Sequence, residues 1–267
     1  MTADAPRSAL LAAWGTAFLS GEASLSELLA RVTVLDDDAV VTGLVRDDGR
    51  DELPVDRALA RLRADGVRRL RLVLPAPGDV LGLPGPGPFT SAALAASEGV
   101  LALREDGTGT GLVPEVTAHD SPFDGTVTTV RWTAHDIAVP GPDPGPFLHD
   151  AEHDLRRGVL EAATALRDLD VARWRPELAG ALQDLRRQAR GGIDSDELPA
   201  CWPERARALL VQARQLAGVV ELASVDAGGA VDTRQTAARE ATLRELAALV
   251  RRARVAAWNA YGQAPAA

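Results

Sequence analysis

The chain of 267 residues contains no lysine, so all 29 of its basic residues are arginine. This absence excludes a catalytic Schiff-base lysine and the phosphate-binding lysine of a Walker A loop. A GC-rich coding sequence is the simplest explanation of the arginine bias. Cys201 is the only cysteine. No disulfide can therefore form within the chain, which agrees with a reducing compartment.

Long apolar runs are also missing from the sequence. No stretch approaches the roughly 20 apolar residues that a transmembrane helix needs. The first residues, MTADAPRSALLAAWGTAFLSGEA (1–23), lack the basic region and the unbroken apolar segment of a signal peptide. We therefore expect a cytoplasmic protein with no membrane partner.

The net charge of −9 is unevenly distributed. Residues 1–150 carry 12 arginines against 22 acidic residues, a net charge of −10, and residues 151–267 carry 17 arginines against 16, a net charge of +1. Neither half has the basic excess that binding to a phosphate backbone requires. We expect no nucleic-acid partner.

The region 1–140 has short β-rich segments separated by Gly and Pro. Two of these segments, 39–45 and 70–75, flank a helical pattern at 53–66. This order predicts a βαβ unit, whose two strands would be parallel. Further elements are predicted in the same region: one or two helices at 7–30, a short helix at 89–99, a strand at 100–105, and an antiparallel pair at 111–118 and 126–134.

A connector rich in Pro and Gly, 141–147, precedes a region of long Ala/Leu/Arg/Glu stretches at 148–263. That region predicts a bundle of about four helices, with apolar stripes on each long helix. The helices are expected at 147–169, 175–190, 203–224 and 232–261. The predicted fold class is therefore α+β: an α/β N-terminal region with a small mixed sheet, followed by a helical bundle.

The segment HDAEH (149–153) fits the H-x-x-E-H pattern of a group of zinc metalloproteases. His149 and His153 lie four residues apart on one helical face, so both could bind one zinc ion, with Glu152 as general base. The alternative is an ordinary helix start. Acidic residues are favourable in a first helical turn, Glu152 can pair with Arg156, and both histidines fall away from the apolar face.

The stretch GDVLGLPGPGPFTS (78–91) connects a strand to a helix, where ligands often bind in α/β sheets. Its prolines remove backbone N–H donors, so a phosphate loop is not predicted. A small-molecule pocket and a rigid structural loop both remain open. The candidate ligand-binding residues are Gly82, Gly85, Gly87, Thr90 and Ser91, and the last two could also cap the following helix.

Two further groups invite a catalytic interpretation. The tetrapeptide TAHD occurs at 117–120 and at 133–136, but the predicted hairpin separates the two copies by about 25 Å. Cys201 precedes a predicted helix, which could lower the pKa of its thiol, yet no histidine lies nearby in sequence. A buried or inert cysteine is the simpler interpretation.

Three segments resemble conserved proteins of high-GC actinobacteria that have no assigned activity. They are RRLRLVLPAPGDVLGLPGPGPF (68–89), LDVARWRPE (169–177) and GGAVDTRQTAAREATLREL (228–246). The resemblance implies a bacterial cytoplasmic protein, and it assigns no functional residue.

The sequence thus favours a non-enzymatic binding or protein-interaction protein. The C-terminal helices would bind a protein partner or a second copy of the chain as a homodimer, and a small molecule could bind at the Gly/Pro loop. No cofactor is expected under this hypothesis. The alternative is a metal-dependent hydrolase with zinc on His149 and His153.

Overall fold

The computed structural model describes residues 5–34, 36, 38–44, 52–80, 82–121, 125–138, 146–168, 197–225 and 233–263. Its elements in chain order are α1 (Arg7–Leu19), α2 (Leu25–Val32), β1 (Asp38–Thr42), β2 (Glu52–Pro54), α3 (Val55–Ala64), β3 (Arg69–Val73), α4 (Pro88–Ala96), β4 (Gly99–Leu103), β5 (Thr108–Ser121), β6 (Gly125–Ala138), α5 (Leu148–Asp168), α6 (Glu204–Val225) and α7 (Thr233–Trp258). They fall into two compact units, one containing the sheet and one containing α5, α6 and α7.

The first unit is built on a six-stranded mixed sheet in the order β2-β1-β6-β5-β4-β3. The pair β1–β6 is parallel, and the other four neighbouring pairs are antiparallel. Together with the helical C-terminal region, this sheet confirms the predicted α+β class.

The predicted βαβ unit is wrong, because β1 and β3 are not neighbours. Strand β6 lies beside β1, with Val41 opposite Trp132, and β3 forms the far edge of the sheet next to β4. The short strand β2 pairs antiparallel with β1 just before α3 begins, so α3 leads the chain from one edge of the sheet to the other. The local pattern identified the elements, but the neighbour of β1 comes from a distant part of the sequence.

Helix α1 packs closely on edge strand β3. A Cβ atom built at Gly15 would lie 2.4 Å from Cδ1 of Leu70, whose side chain is buried. The next residue, Thr16, donates its hydroxyl hydrogen to the Leu70 carbonyl at 3.0 Å and accepts a hydrogen bond from the Leu70 N–H at 2.9 Å. Thr16 therefore satisfies the backbone groups of Leu70 that no strand pairs with.

Helix α4 covers part of the opposite sheet face with Phe89. A Cβ atom at Gly111 of β5 would lie 2.2 Å from Cδ2 of this buried ring, so only glycine leaves the space that Phe89 fills. The ring belongs to a core cluster on this face, formed by Val73, Phe89, Ala93, Leu101, Val113 and Ile137.

The second unit packs α7 against both α5 and α6. Gly158 permits the approach of α5 to α7, since a Cβ atom there would lie 2.1 Å from Cδ1 of Leu249. The indole N–H of Trp202 donates to the Ala257 carbonyl at 3.2 Å and fixes the chain ahead of α6. The predicted helix at 175–190 and most of the predicted connector, 141–145, lie outside the described residues.

A short segment from the C-terminal half belongs with the first unit. Residues 197–201 group with the sheet domain, and the Trp14 indole N–H donates to the Glu197 carbonyl at 2.9 Å. The connector predicted at 141–147 did not indicate that a later segment belongs with the first unit. This association depends on a contact between positions 183 residues apart, which leaves no local sequence pattern.

Candidate functional sites

The start of α5 brings Glu152 against two arginines. Its Oε1 accepts a hydrogen bond from Arg156 at 3.3 Å, and its Oε2 accepts one from Arg205 of α6 at 2.6 Å. The sequence predicted the Arg156 pair from its i+4 spacing. The Arg205 pair joins residues 53 positions apart and has no local sequence signal. Glu152 therefore links the first turns of two helices.

His149 and His153 lie on the exposed side of α5. The buried side of the same turns carries Leu148 and Leu155, as the apolar periodicity predicted. The backbone N–H of Leu148 donates to Oε1 of Gln263 at 2.9 Å, which satisfies one of the amides at the helix start. The two histidines therefore sit where a solvated helix start would place them.

A catalytic zinc site usually has three protein ligands and one open position. Within the described ranges, no group of three or more His, Cys, Asp or Glu side chains could hold a metal ion. His149 and His153 would supply two donors, and no described residue supplies a third. The roles of these histidines as ligands and of Glu152 as general base stay predictions.

The Gly/Pro loop after β3 begins with a tight turn. The N–H of Ala76 donates to the Asp79 carbonyl at 3.0 Å, and the N–H of Asp79 donates to the Ala76 carbonyl at 2.9 Å. Between them, Pro77 is followed by Gly78 with φ +80°, the combination typical of a type II turn. Proline and glycine therefore define the backbone of this part of the loop.

Three glycines of the loop differ in their surroundings. A Cβ atom at Gly82 would lie 3.3 Å from Cγ1 of Val73, so this glycine lies against the strand. Apart from the residues adjacent in the chain, no described atom lies within 4 Å of the corresponding positions at Gly85 and Gly87. A ligand could approach the backbone at the last two positions, and their role in binding stays a prediction.

The predicted helix cap at Thr90 and Ser91 is wrong. The N-cap of α4 is Gly87, Pro88 is the first helical residue, and no side chain caps the helix. The hydroxyl of Thr90 donates instead to the carbonyl of Gly85, which ties the loop to the helix, and Ser91 is exposed. Thr90 and Ser91 lie inside the helix, beyond the position from which a side chain caps it.

The two TAHD copies lie at opposite ends of the hairpin β5–β6. His119 is opposite Val127 near the turn, whereas His135 is opposite Gly111 eight register positions away, a separation of about 27 Å at 3.4 Å per residue. This confirms the predicted separation. Because neighbouring strand residues point to opposite faces, the adjacent His and Asp of each copy also point apart. Asp120 instead accepts a hydrogen bond from the Thr126 hydroxyl at 2.9 Å.

His135 packs edge-on against Phe89, with 6.3 Å between the ring centres. Its Nε2 atom is buried, and among the described residues it has no hydrogen-bond partner. The sequence pattern indicated this histidine only as part of a His-Asp pair. Gly111, opposite it on β5, could have indicated that a large side chain packs there.

Cys201 is exposed, in the turn just before α6. Of the two predicted alternatives, a buried or an inert cysteine, the first is wrong and the second stays a prediction. The next residue, Trp202, is buried against α7 and directs the chain into α6. The thiol thus lies at the surface beside an anchored tryptophan.

Helix α6 has a second face, without charged residues, that the sequence pattern did not indicate. The buried face of α6 packs on α7. Between Arg207 and Glu221, Arg214 is the only charged residue of the helix. At about 100° per residue, seven exposed or half-buried residues without charge fall on the other side of the helix. This outer face of α6 comprises Ala208, Val211, Gln212, Gln215, Gly218, Val219 and Leu222.

No helix among the described residues is long and apolar enough to span a bilayer.

Two family models match the chain: the N-terminal domain of Rv1486c-like proteins at residues 8–146 and their C-terminal domain at residues 149–255. Uncharacterised protein Rv1486c of Mycobacterium tuberculosis (strain ATCC 25618 / H37Rv) is 31% identical, over 94% of this chain and 95% of its own length. Uncharacterised protein ML1804 of Mycobacterium leprae (strain TN) is 30% identical over the same shares. No solved structure matches the chain.

Proposed function

We propose that this chain, which belongs to the Rv1486c-like family, is a non-enzymatic binding protein of the cytoplasm. Its C-terminal helices bind a protein partner or a second copy of the chain. The observation that carries the proposal is the outer face of α6. At the start of α5, the carboxylate nominated as general base, Glu152, instead forms ion pairs with Arg156 and Arg205.

The outer face of α6 has the composition of a protein-binding surface. A surface helix normally presents charged residues on the side away from its core. This helix presents Val, Leu, Gly, Ala and Gln there over about four turns. Burial of its apolar area would contribute about 25 cal/mol per Å² to association. A partner that covers the face would therefore gain affinity without having to desolvate charges.

A charge placed in the outer face tests the proposal. Val219→Glu would bury a carboxylate in the contact, so we expect weaker self-association in light scattering, or weaker binding to a partner captured by wild type. Ala237→Glu is the control, because Ala237 is exposed on α7 and away from the outer face. Circular dichroism verifies that both variants remain folded. Equal association of wild type and both variants would contradict the proposed surface.

A small molecule at the Gly/Pro loop is the second part of the binding proposal. The open space beside Gly85 and Gly87 supports it. Gly87 has an extended backbone (φ 163°) and no neighbour within 4 Å, so Gly87→Ala should leave the fold unchanged. If a metabolite binds against Gly87, the added methyl group obstructs it, so the metabolite should raise the melting temperature of this variant less than that of wild type. Equal protection would exclude contact at Gly87.

A further inference from the structure

The hairpin β5–β6 extends well past the strand that pairs with β5 on its other side. Pairing with β4 covers β5 only from Gly109 to Leu112, while β5 continues to Ser121. Among the described strands, none pairs with this side of residues 115–121. We call this segment the free edge of β5. Val116 within it is 43% exposed.

The backbone groups of the free edge point in a known direction. The carbonyl of Thr108 accepts a hydrogen bond at 2.8 Å from the N–H of Arg104, on the side of β4. The register with β6 is unbroken from Thr108 to Ser121, so even-numbered residues of β5 direct their N–H and C=O groups to this same side. Val116, Ala118 and Asp120 therefore present backbone N–H and C=O groups that no described strand pairs with.

Pro114 agrees with this direction. It is an even-numbered residue, so its missing N–H would have pointed to the β4 side, just where β4 pairing has ended. A proline is tolerated in a strand where no ladder hydrogen bond is lost. The segment beyond it has no proline through Ser121 and can accept another strand.

We propose that the free edge of β5 pairs antiparallel with the free edge of a second copy of this chain, around a twofold axis at Ala118. Residues 115–121 then lie opposite residues 121–115, and Ala118 lies opposite Ala118 of the partner subunit. This register uses the whole segment, and the paired residues end at 115, before the positions next to the start of β4. It forms about six hydrogen bonds between the subunits.

The charges of the segment fit this register. Val116 lies opposite Asp120 of the partner subunit, and Thr117 opposite His119 of the partner subunit. Glu115 is the diagonal neighbour of the same histidine, an acid beside an imidazole. No two like charges of residues 115–120 lie opposite each other. A segment that avoids like-charge contacts with itself can pair with a copy of itself, whereas edges that are protected against pairing usually carry charges that prevent it.

The contact is small, so the expected dimer is weak and depends on concentration. It does not involve the outer face of α6 and does not depend on the proposed function. Both surfaces can coexist on one chain, so the test must distinguish them.

Substitutions of opposite charge at position 118 provide that test, because Ala118 lies opposite Ala118 of the partner subunit in the proposed dimer. Ala118→Arg and Ala118→Asp each place two like charges together, so each variant should dimerise at least tenfold more weakly than wild type in sedimentation equilibrium. An equimolar mixture of the two should restore the dimer as a heterodimer. Ala60→Arg and Ala60→Asp, at an exposed alanine of α3, are the matched controls and should leave dimerisation unchanged.

Three results would overturn the proposal. One is a monomeric wild type up to submillimolar concentration. Another is a dimer that both Ala118 variants retain and that Val219→Glu disrupts, since this would place the contact on α6. The third is a mixture that associates no better than either variant alone. Circular dichroism of each variant verifies that a loss of dimer is not a loss of fold.

Discussion

Thr16→Val isolates the contribution of one hydroxyl to the sheet edge. The substitution keeps the shape of the side chain and removes both hydrogen bonds with Leu70, at 2.9 and 3.0 Å. Thr16 is 1% exposed and Leu70 is 2% exposed, so water cannot replace the lost partner. The N–H and C=O of Leu70 are then buried without partners, because β3 has no neighbour on that side among the described strands.

The expected loss of stability follows from those two groups. Each buried group without a partner costs about 1–3 kcal/mol, and removal of the buried hydroxyl itself recovers part of this, so we expect a decrease of about 2–4 kcal/mol in the free energy of unfolding. For a protein of this size, the melting temperature of the sheet unit should fall by about 5–15 °C. Urea unfolding measures the first quantity and calorimetry the second.

A matched control separates this effect from a general response to Thr→Val. The Thr42 hydroxyl is half-buried and donates to the Trp132 carbonyl at 3.4 Å, a long hydrogen bond. Thr42→Val should cost less than about 1 kcal/mol. Hydrogen exchange should increase at Leu70 in Thr16→Val and not in the control. A Thr16→Val protein within 0.5 kcal/mol of wild type, roughly the uncertainty of such measurements, would refute the reasoning.

Two further predictions concern packing and pH. Gly111→Ala should lower the free energy of unfolding by about 1–3 kcal/mol, because its Cβ atom would lie 2.2 Å from the Phe89 ring, whereas Gly87→Ala should be neutral in the same urea titration. Hydrogen bonds from the side chain and the backbone of Ser24 lower the pKa of Glu27, so its stabilising effect is present above about pH 4.3 and is lost as the pH falls through the lowered value. Wild type should therefore lose its stability advantage over Glu27→Gln on acidification below that pH, and an advantage that persists at pH 2 in thermal melts would contradict this assignment.

Local sequence patterns predicted most of the elements. The pattern at 53–66 became α3 at Val55–Ala64, and the pattern at 203–224 became α6 at Glu204–Val225. Both depend on apolar spacing within the element and on nearby Pro or Gly residues. The strand pairing was predicted correctly only for the hairpin, whose two strands are separated by three residues in the sequence. Proximity along the chain favours such pairs.

The remaining contacts could not be predicted because they join distant positions. Trp132 lies beside β1 in the sheet, Arg205 pairs with Glu152, and Trp14 donates to Glu197. None of these contacts alters a local periodicity. The free edge of β5 was also not predicted, because it depends on the relative lengths of β4, β5 and β6 and not on a pattern within one strand.

The central claim is that the residues at the start of α5 fold and solubilise the chain and do not catalyse a reaction. Its most direct test is the zinc content, by elemental analysis, of protein purified without an affinity tag. We expect far less than one zinc per chain, with the same content in wild type and in His149→Ala. One zinc per chain in wild type, lost in His149→Ala, would contradict the claim and favour a metal-dependent hydrolase with Glu152 as its base.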